Sequence, residues 1–115
     1  MPHDVQFRLR IRNEDVIAVG PGKIALLEAI ASTGSITAAA KELGMSYRRA
    51  WLLVDEMNRC MTKPAVGTAT GGAHGGGTIL TPEGEAMIEL YRAIEDKAMA
   101  ATANEIGALK KLLGK

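Results

Sequence analysis

Residues 37–51 read TAAAKELGMSYRRAW, and this stretch decides the fold because it predicts two helices joined by a tight turn. Alanines at 38–40 leave the first of these helices with little bulk, so a neighbouring helix can pack closely against it. Gly44 lets the backbone take a left-handed conformation in the turn. Ser46 is a typical cap for the helix that follows. The pattern favours a helix-turn-helix.

The residues before this stretch predict a small hairpin and one more helix. VQFRLRI at 5–11 alternates apolar and polar side chains, which is typical of a half-buried strand. A polar turn and a second apolar run complete an expected hairpin over residues 5–19. Helical spacing begins at Lys23, and Gly34 supplies the C-terminal stop. Ser35 is expected to cap the short second helix.

The residues after the third helix predict a wing and a long last helix. Two β-prone segments joined by GGAHGGG describe a hairpin over residues 65–80. Thr81 and Pro82 form a helix start, and helix-forming residues continue over 83–113, with a break or frayed end expected near Gly107. One apolar stripe follows this helix: Met87, Leu90, Tyr91, Ile94, Ala98 and Ala101. A second copy of the chain is the simplest partner that would bury it.

These elements together predict a mainly α fold with a small β part. It is a winged helix-turn-helix with an N-terminal β-hairpin and a long C-terminal dimerisation helix. The three-helix core is expected over residues 23–61. A chain of 115 residues is long enough for one domain and too short for two ordinary ones, so residues 1–115 are expected to form a single unit.

The start of the third helix carries the candidate DNA contacts. Its buried face is predicted to contain Ala50, Val54, Met57 and Met61. Tyr47, Arg48 and Trp51 are then turned away from the core, and Arg49 lies near the boundary. Arginine can bind guanine or phosphate through two donors, tyrosine can donate to phosphate, and an indole can pack on sugar. A partly buried Trp51 beside two solvated arginines is the alternative interpretation.

The glycine-rich tip of the second hairpin has three interpretations. As a wing, its backbone N–H groups can approach the DNA backbone closely, and His74 can add a hydrogen bond or, when protonated, a charge. A phosphate-binding nucleotide loop would need Lys-Ser or Lys-Thr and then a helix, whereas residues 78–80 predict a strand. A loop that is merely mobile is the third interpretation.

Composition excludes several other classes of protein. No run of about 18 apolar residues is present and the N-terminus has no secretory pattern, so a cytoplasmic protein with no membrane association is expected. Cys60 is the only cysteine, and it is expected to be a small buried residue without a disulfide or metal site. Neighbouring acids diverge along their elements, so neither an enzyme nor a cofactor is expected. The net charge of +1 gives no global argument for nucleic acid.

Four segments carry a resemblance to a known family: GKIALLEAIASTGSITAAAKELGMSYRRAW, VDEMNRC, TATGGAHGGGTILTPEG and ELYRAIE. They resemble the N-terminal DNA-binding domain of the molybdate-responsive ModE regulators, a winged-helix family related to the LysR regulators. The resemblance runs from about residue 21 to about residue 96. It implies a homodimer that binds a palindromic operator in double-stranded DNA.

The resemblance also assigns roles by position. It implies recognition-helix contacts by Ser46, Tyr47, Arg48, Arg49 and Trp51, and wing contacts by Thr70, Gly71, Gly72 and His74. We add Ser35, which opens the second helix, to the candidate DNA contacts. Met87, Leu90, Tyr91, Ile94 and Ala98 are the candidate dimer contacts.

Three features depart from that family. The chain stops at Lys115, where ModE proteins continue into molybdate-binding domains, so molybdate binding by this chain alone is not expected. The wing carries Ala73 and His74 in place of the lysine that is often found there. The N-terminal hairpin replaces a helix that contributes to the ModE dimer. A winged-helix module that holds a protein partner through the apolar residues 51–53 is the alternative function.

Overall fold

The computed structural model describes residues 4–72 and 75–114. It contains strands β1 (Ile11–Asn13) and β2 (Val16–Val19), helices α1 (Pro21–Thr33), α2 (Ile36–Glu42) and α3 (Tyr47–Cys60), strands β3 (Val66–Gly72) and β4 (Gly75–Leu80), and helices α4 (Pro82–Ala101) and α5 (Ala103–Leu112). The strands form two separate antiparallel hairpins, β1–β2 and β3–β4. The predicted mainly α winged helix-turn-helix is confirmed.

Helix α1 forms the centre of the hydrophobic core. Its buried apolar residues are Ile24, Leu26, Leu27, Ala29 and Ile30, so they cover more of the helix than one amphipathic stripe would. Gly34 ends the helix in the left-handed conformation with φ of 71°, and its N–H donates to the Ile30 carbonyl at 2.8 Å. Helices α2 and α3 pack against α1 through small or apolar residues: Ala39, Ala40, Ala50, Val54 and Met57.

The N-terminal hairpin is shorter than the alternating pattern predicted. Strand β1 begins only at Ile11, and residues 4–10 are in no regular element. Val5, Phe7 and Leu9 are nevertheless half-buried between exposed polar neighbours. The alternation therefore identified three of the four covered residues, since Ile11 is 50% exposed. A strand over 5–11 was wrong because β2, with four residues, offers a partner to only a short segment.

The long last helix is divided, and the break lies at Thr102 and not at Gly107 as predicted. The Thr102 hydroxyl donates to the carbonyl of Ala98 at 2.7 Å, a bond that competes with the helical hydrogen bonds and often bends a helix. The chain resumes a helical path at once, since the Ile106 N–H donates to the Thr102 carbonyl at 2.9 Å. Gly107 lies inside α5 without interrupting it. We call α4 and α5 together the C-terminal rod.

Tyr91, one of the candidate dimer contacts, belongs to the core of its own chain. It is 2% exposed, and its hydroxyl donates to the Leu9 carbonyl at 3.0 Å. Burial, together with the charge of Glu95, raises the pKa of the Tyr91 phenol. Of the other predicted contacts, Met87 and Ala98 are half-buried. Leu90 and Ile94 are exposed, and Leu90 is 65% exposed.

Candidate nucleic-acid interface

The turn between α2 and α3 fixes where the third helix begins. Gly44 takes the left-handed conformation with φ of 70°, as its sequence position predicted. The Met45 N–H donates to the Ala40 carbonyl at 2.9 Å, which holds the turn against the end of α2. The Ser46 hydroxyl then accepts from the Arg49 N–H at 3.0 Å and caps α3. These bonds orient the first turn of α3 relative to the core.

Helix α3 has a buried face and an exposed aromatic face. Ala50, Val54 and Met57 are buried as predicted, while Met61, just past the helix, is only partly buried against the core. Beside this face, at the start of the helix, Tyr47 is 53% exposed and Trp51 is 46% exposed. A shallow surface pocket is lined by Tyr47, Arg48, Trp51 and Leu52. The alternative of Trp51 as a partly buried core residue is disfavoured because Trp51 is not among the apolar residues that form the core or pack against it.

The arginines at the start of α3 differ in their partners from those at the end of α3 and in α4. Arg92 donates to Glu28 at 2.6 and 3.0 Å and to Glu95 at 2.6 Å, and these hydrogen bonds raise the pKa of its guanidinium. Arg59 pairs with Asp55. Arg48 and Arg49 are both exposed, and neither forms an ion pair with any described residue. Their positive charge is therefore available to an anionic ligand.

The wing is anchored at its base to α1 and α3. The Asn58 side chain accepts from the Ala65 N–H at 2.9 Å and from the Val66 N–H at 3.3 Å, which ties the start of β3 to α3. On the other strand, the Thr78 N–H donates to the Gly34 carbonyl at 3.0 Å. The wing is thus held at a fixed position beside the helix-turn-helix.

The predicted wing contacts lie at the far end of this hairpin. Backbone pairing extends to Gly72 opposite Gly75, so Thr70, Gly71 and Gly72 belong to β3. His74 lies outside the described residues. At the other candidate position, the Ser35 hydroxyl accepts from the Ala38 N–H at 3.1 Å and caps α2. A DNA contact by any of these residues stays a prediction.

Two polar residues that position the site were not singled out from the sequence. Lys23 is almost fully buried, and its ammonium donates to Glu56 at 2.6 Å and to the Ile17 carbonyl, so it joins α1 to α3 and to β2. Asn58 joins α3 to the wing. A lysine near the start of a helix usually predicts a solvated charge. Only the tertiary contacts distinguish Lys23 from that ordinary case.

Within residues 4–72 and 75–114, no three His, Cys, Asp or Glu side chains are grouped so that they could hold a metal ion. Cys60, expected to be buried, is a half-buried free thiol. Over the same residues, each helix is too short or too polar to span a bilayer.

Comparison with known proteins places this architecture in a family. Residues 22–85 match the family described as bacterial regulatory helix-turn-helix protein, lysR family. The chain is 46% identical over 95 residues to the molybdenum-pterin-binding protein MopB of Rhodobacter capsulatus. This alignment covers 83% of this chain and 34% of MopB. It is also 41% identical over 83 residues to the DNA-binding transcriptional dual regulator ModE of Escherichia coli strain K12. That alignment covers 72% of this chain and 32% of ModE.

The fold is also similar to that of a solved DNA complex. The crystal structure described as a CbnR_DBD-DNA complex superposes with a TM-score of 0.56 at 22% identity, covering 76% of this chain and 95% of that chain. This likeness supports the winged helix-turn-helix architecture alone. The chain spans about a third of the length of the two relatives. The resemblance to ModE regulators is confirmed, and the chain belongs to the lysR family of bacterial regulatory helix-turn-helix proteins.

Proposed function

We propose that this protein is a cytoplasmic transcription regulator that binds a specific site in double-stranded DNA as a homodimer. The first turns of α3 enter the major groove, and the wing contacts the adjacent backbone. Two copies related by a two-fold axis present their α3 helices about one helical turn apart, roughly 34 Å. The operator is accordingly a palindrome.

The exposed Arg48 and Arg49 beside Tyr47 and Trp51 carry this proposal. A net charge of +1 would not attract DNA by itself, so the distribution of charge decides. The arginines of the C-terminal rod and of the end of α3 are paired with acids, whereas the two at the start of α3 are not. Unpaired guanidinium groups on a capped helix, next to exposed aromatic rings, match the contacts that specific DNA readout uses.

The relatives' names connect MopB with molybdenum-pterin binding and ModE with dual regulation of transcription. Both proteins are about three times as long as the matched segment. We carry over from ModE the DNA-binding role alone, because the residues that support it lie within residues 22–85, which match the lysR family. Molybdate binding is not proposed for this chain.

Selection of duplexes from a randomised pool at near-physiological salt tests the proposed function. The expected result is enrichment of a two-fold symmetric sequence, because a homodimer reads two equivalent half-sites. Enrichment of an asymmetric site would contradict the dimer while leaving DNA recognition in place. Failure to enrich any sequence would overturn specific binding.

The double variant Arg48→Ala, Arg49→Ala tests the residues. We expect a loss of several kcal/mol in binding free energy to the selected duplex, about 1–3 kcal/mol for each arginine that reads a base. Arg59→Ala is the matched control, since it removes an exposed arginine from the same helix that is already paired with Asp55. Fluorescence anisotropy would measure both affinities. Equal affinity of the double variant and the control would remove Arg48 and Arg49 from the interface.

Salt dependence separates this function from a protein-interaction module built on residues 51–53. Affinity for DNA falls steeply with salt, with a slope near −0.9 for each neutralised phosphate in a plot of log K against log salt concentration. An apolar protein interface would show little such dependence. The double arginine variant should also have a shallower slope than the wild-type protein.

A further inference from the structure

Three large apolar side chains lie exposed together on the first turns of α3. Tyr47 is 53% exposed, Trp51 is 46% exposed and Leu52 is 47% exposed. In the part of the chain that the structure describes, none of them belongs to the hydrophobic core or to the half-buried residues that pack against it. Apolar surface that stays open to solvent in one patch often marks a binding site. The patch is therefore available to another molecule.

The contrast between two adjacent leucines shows that this patch is not a by-product of core packing. Leu53 is half-buried and packs against the core, where it lines a surface groove together with Val16 and Ile17 of the N-terminal hairpin. Leu52 is turned about 100° away from it around the helix axis, because an α-helix has about 3.6 residues per turn. The core needs only the face that carries Leu53. Leu52 adds apolar surface where a polar side chain would serve folding equally well.

The exposed side chains surround a shallow pocket. It is lined by Tyr47, Arg48, Trp51 and Leu52. These residues form two rows, 47 with 51 and 48 with 52, and residues four positions apart are neighbours on a helix surface. The pocket therefore lies between two adjacent rows at the start of α3. We call it the α3 pocket.

Positive charge lies beside the α3 pocket. Arg48 lines it, and Arg49 is the next residue along the helix. Both are exposed, and neither forms an ion pair with a described residue. An apolar protein surface would offer these guanidinium groups no anion. A DNA duplex offers phosphates and guanine acceptors close to any apolar group in its groove, so it fits the combination of an apolar pocket and unpaired cations.

Only one base of DNA carries an apolar group on its major-groove edge. Thymine presents its 5-methyl group there, whereas the other three bases present hydrogen-bond donors and acceptors. We propose that the α3 pocket receives the 5-methyl group of one thymine in each half-site of the operator. This inference rests on the proposed function and specifies one base that α3 recognises. Trp51 and Leu52 supply the apolar contact, while Arg48 holds the helix in the same groove.

Replacement of thymine with uracil tests the inference, because uracil pairs with adenine in the same way but lacks the 5-methyl group. Each thymine of one half-site in the selected duplex is replaced in turn, and fluorescence anisotropy measures the affinity. At one position we expect a loss of about fourfold, which corresponds to about 0.8 kcal/mol for one methyl group removed from an apolar contact. Replacement in both half-sites should cost about 15-fold, since well-separated positions contribute roughly additively.

Two further duplexes separate a lost methyl contact from a general change in the DNA. 5-Bromouracil at the sensitive position should restore the affinity, because bromine is apolar and close to a methyl group in size. Uracil in place of thymines outside the half-sites should leave the affinity unchanged. An equal loss at every replaced thymine, inside and outside the half-sites, would contradict a single methyl contact.

Protein variants test whether the α3 pocket makes this contact. Trp51→Ala should bind the thymine and uracil duplexes equally, because the apolar wall that distinguishes them is gone. Arg49→Ala is the matched control, since Arg49 is exposed near the start of α3 but does not line the α3 pocket. It should weaken binding to both duplexes and leave their ratio unchanged. Both substituted side chains are exposed, so both variants should fold, which circular dichroism checks.

Three results would overturn the inference while leaving the proposed regulator intact. Selected half-sites without a fixed thymine would remove the proposed occupant. Equal affinity of the wild-type protein for the thymine and uracil duplexes would mean that no methyl group is read, and the indole would then pack on sugar if Trp51→Ala weakened binding to both. A fourfold ratio retained in Trp51→Ala would place the methyl contact elsewhere. Failure to select any duplex would instead overturn the proposed function and this inference together.

Discussion

Helices α1 and α5 are built from similar apolar residues but lie in opposite surroundings. Helix α1 buries six of its residues, including Lys23, whereas α5 buries none. Burial of apolar surface is the main source of folding free energy, so α1 stabilises the single chain and α5 does not. This difference shows that the helix-turn-helix core is complete within one chain. The rod carries residues whose burial requires another molecule.

The largest expected effect compares the same substitution in these two helices. Leu27 is fully buried at the centre of the core, so Leu27→Ala should lower the free energy of unfolding by about 2–5 kcal/mol. Leu109 is largely exposed, so Leu109→Ala should change it by less than about 0.5 kcal/mol in the monomer. Urea unfolding at low protein concentration, monitored by circular dichroism, measures both.

The same pair of variants sharpens the comparison when the protein concentration is raised. If the rod forms the interface of the proposed homodimer, Leu109→Ala becomes destabilising once the wild-type protein dimerises, because stability then includes the interface. Leu27→Ala should cost a similar amount at every concentration. If Leu109→Ala were destabilising even in dilute monomer, α5 would be packed within its own chain, and the contrast with α1 would fail.

Alanine substitutions at two glycines of the rod give a second contrast, because we expect them to change stability in opposite directions. A Cβ at Gly84 would overlap the carbonyl oxygen of Ala65, since α4 approaches the start of the wing very closely there. Gly84→Ala should therefore destabilise the protein by about 1–3 kcal/mol. A Cβ at Gly107 meets nothing within 4 Å, and alanine favours a helix. Gly107→Ala should stabilise α5 by up to about 1 kcal/mol.

Thermal unfolding would measure the effect of Gly84→Ala, and helical circular dichroism that of Gly107→Ala. The two variants test whether the start of α4 belongs to the core while α5 stands apart from it. A neutral Gly84→Ala would show that the wing can move away from α4. A destabilising Gly107→Ala would place a close neighbour against α5, and in the dimer that neighbour would be the partner chain.

Local signals predicted much of the fold. Ser35, Ser46 and Thr81 each cap a helix through a side-chain oxygen, as their positions indicated. Gly34 and Gly44 adopt the left-handed conformations that their turns require. Caps and turns depend on residues within a few positions of one another, so a single sequence contains the information.

Features that depend on distant contacts were missed or wrong. Tyr91 follows the apolar stripe of α4, but its hydroxyl binds a carbonyl 82 residues away in the chain, so spacing could not distinguish core from interface. The partners of Lys23 lie on β2 and α3. The break at Thr102 coincides with a side-chain hydrogen bond to Ala98. The sequence predicted the break near Gly107 because glycine disfavours a helix. The roles of the DNA-contact residues stay predictions.

A single hydrogen bond at Tyr91 ties the rod to the N-terminal segment, and its loss should have a smaller effect than Leu27→Ala or Gly84→Ala. Tyr91→Phe removes the hydrogen bond to the Leu9 carbonyl and should lower the free energy of unfolding by about 0.5–1.5 kcal/mol at neutral pH. Tyr47→Phe is the matched control, because it removes an exposed hydroxyl that has no hydrogen-bond partner among the described residues. Urea unfolding should show little change for Tyr47→Phe.

Alkaline pH separates burial of the phenol from loss of the hydrogen bond. The pKa of Tyr91 is raised in the folded protein, chiefly by burial, so above about pH 10 the unfolded chain releases this proton more readily than the folded one. The stability that Tyr91 contributes is therefore present in full below that pH and is lost as pH rises further. Tyr91→Phe should flatten this part of the stability profile. Parallel alkaline profiles for the wild-type and Tyr91→Phe proteins would mean that Tyr91 is open to solvent, and the rod would then be joined to the core less firmly than its buried hydroxyl indicates.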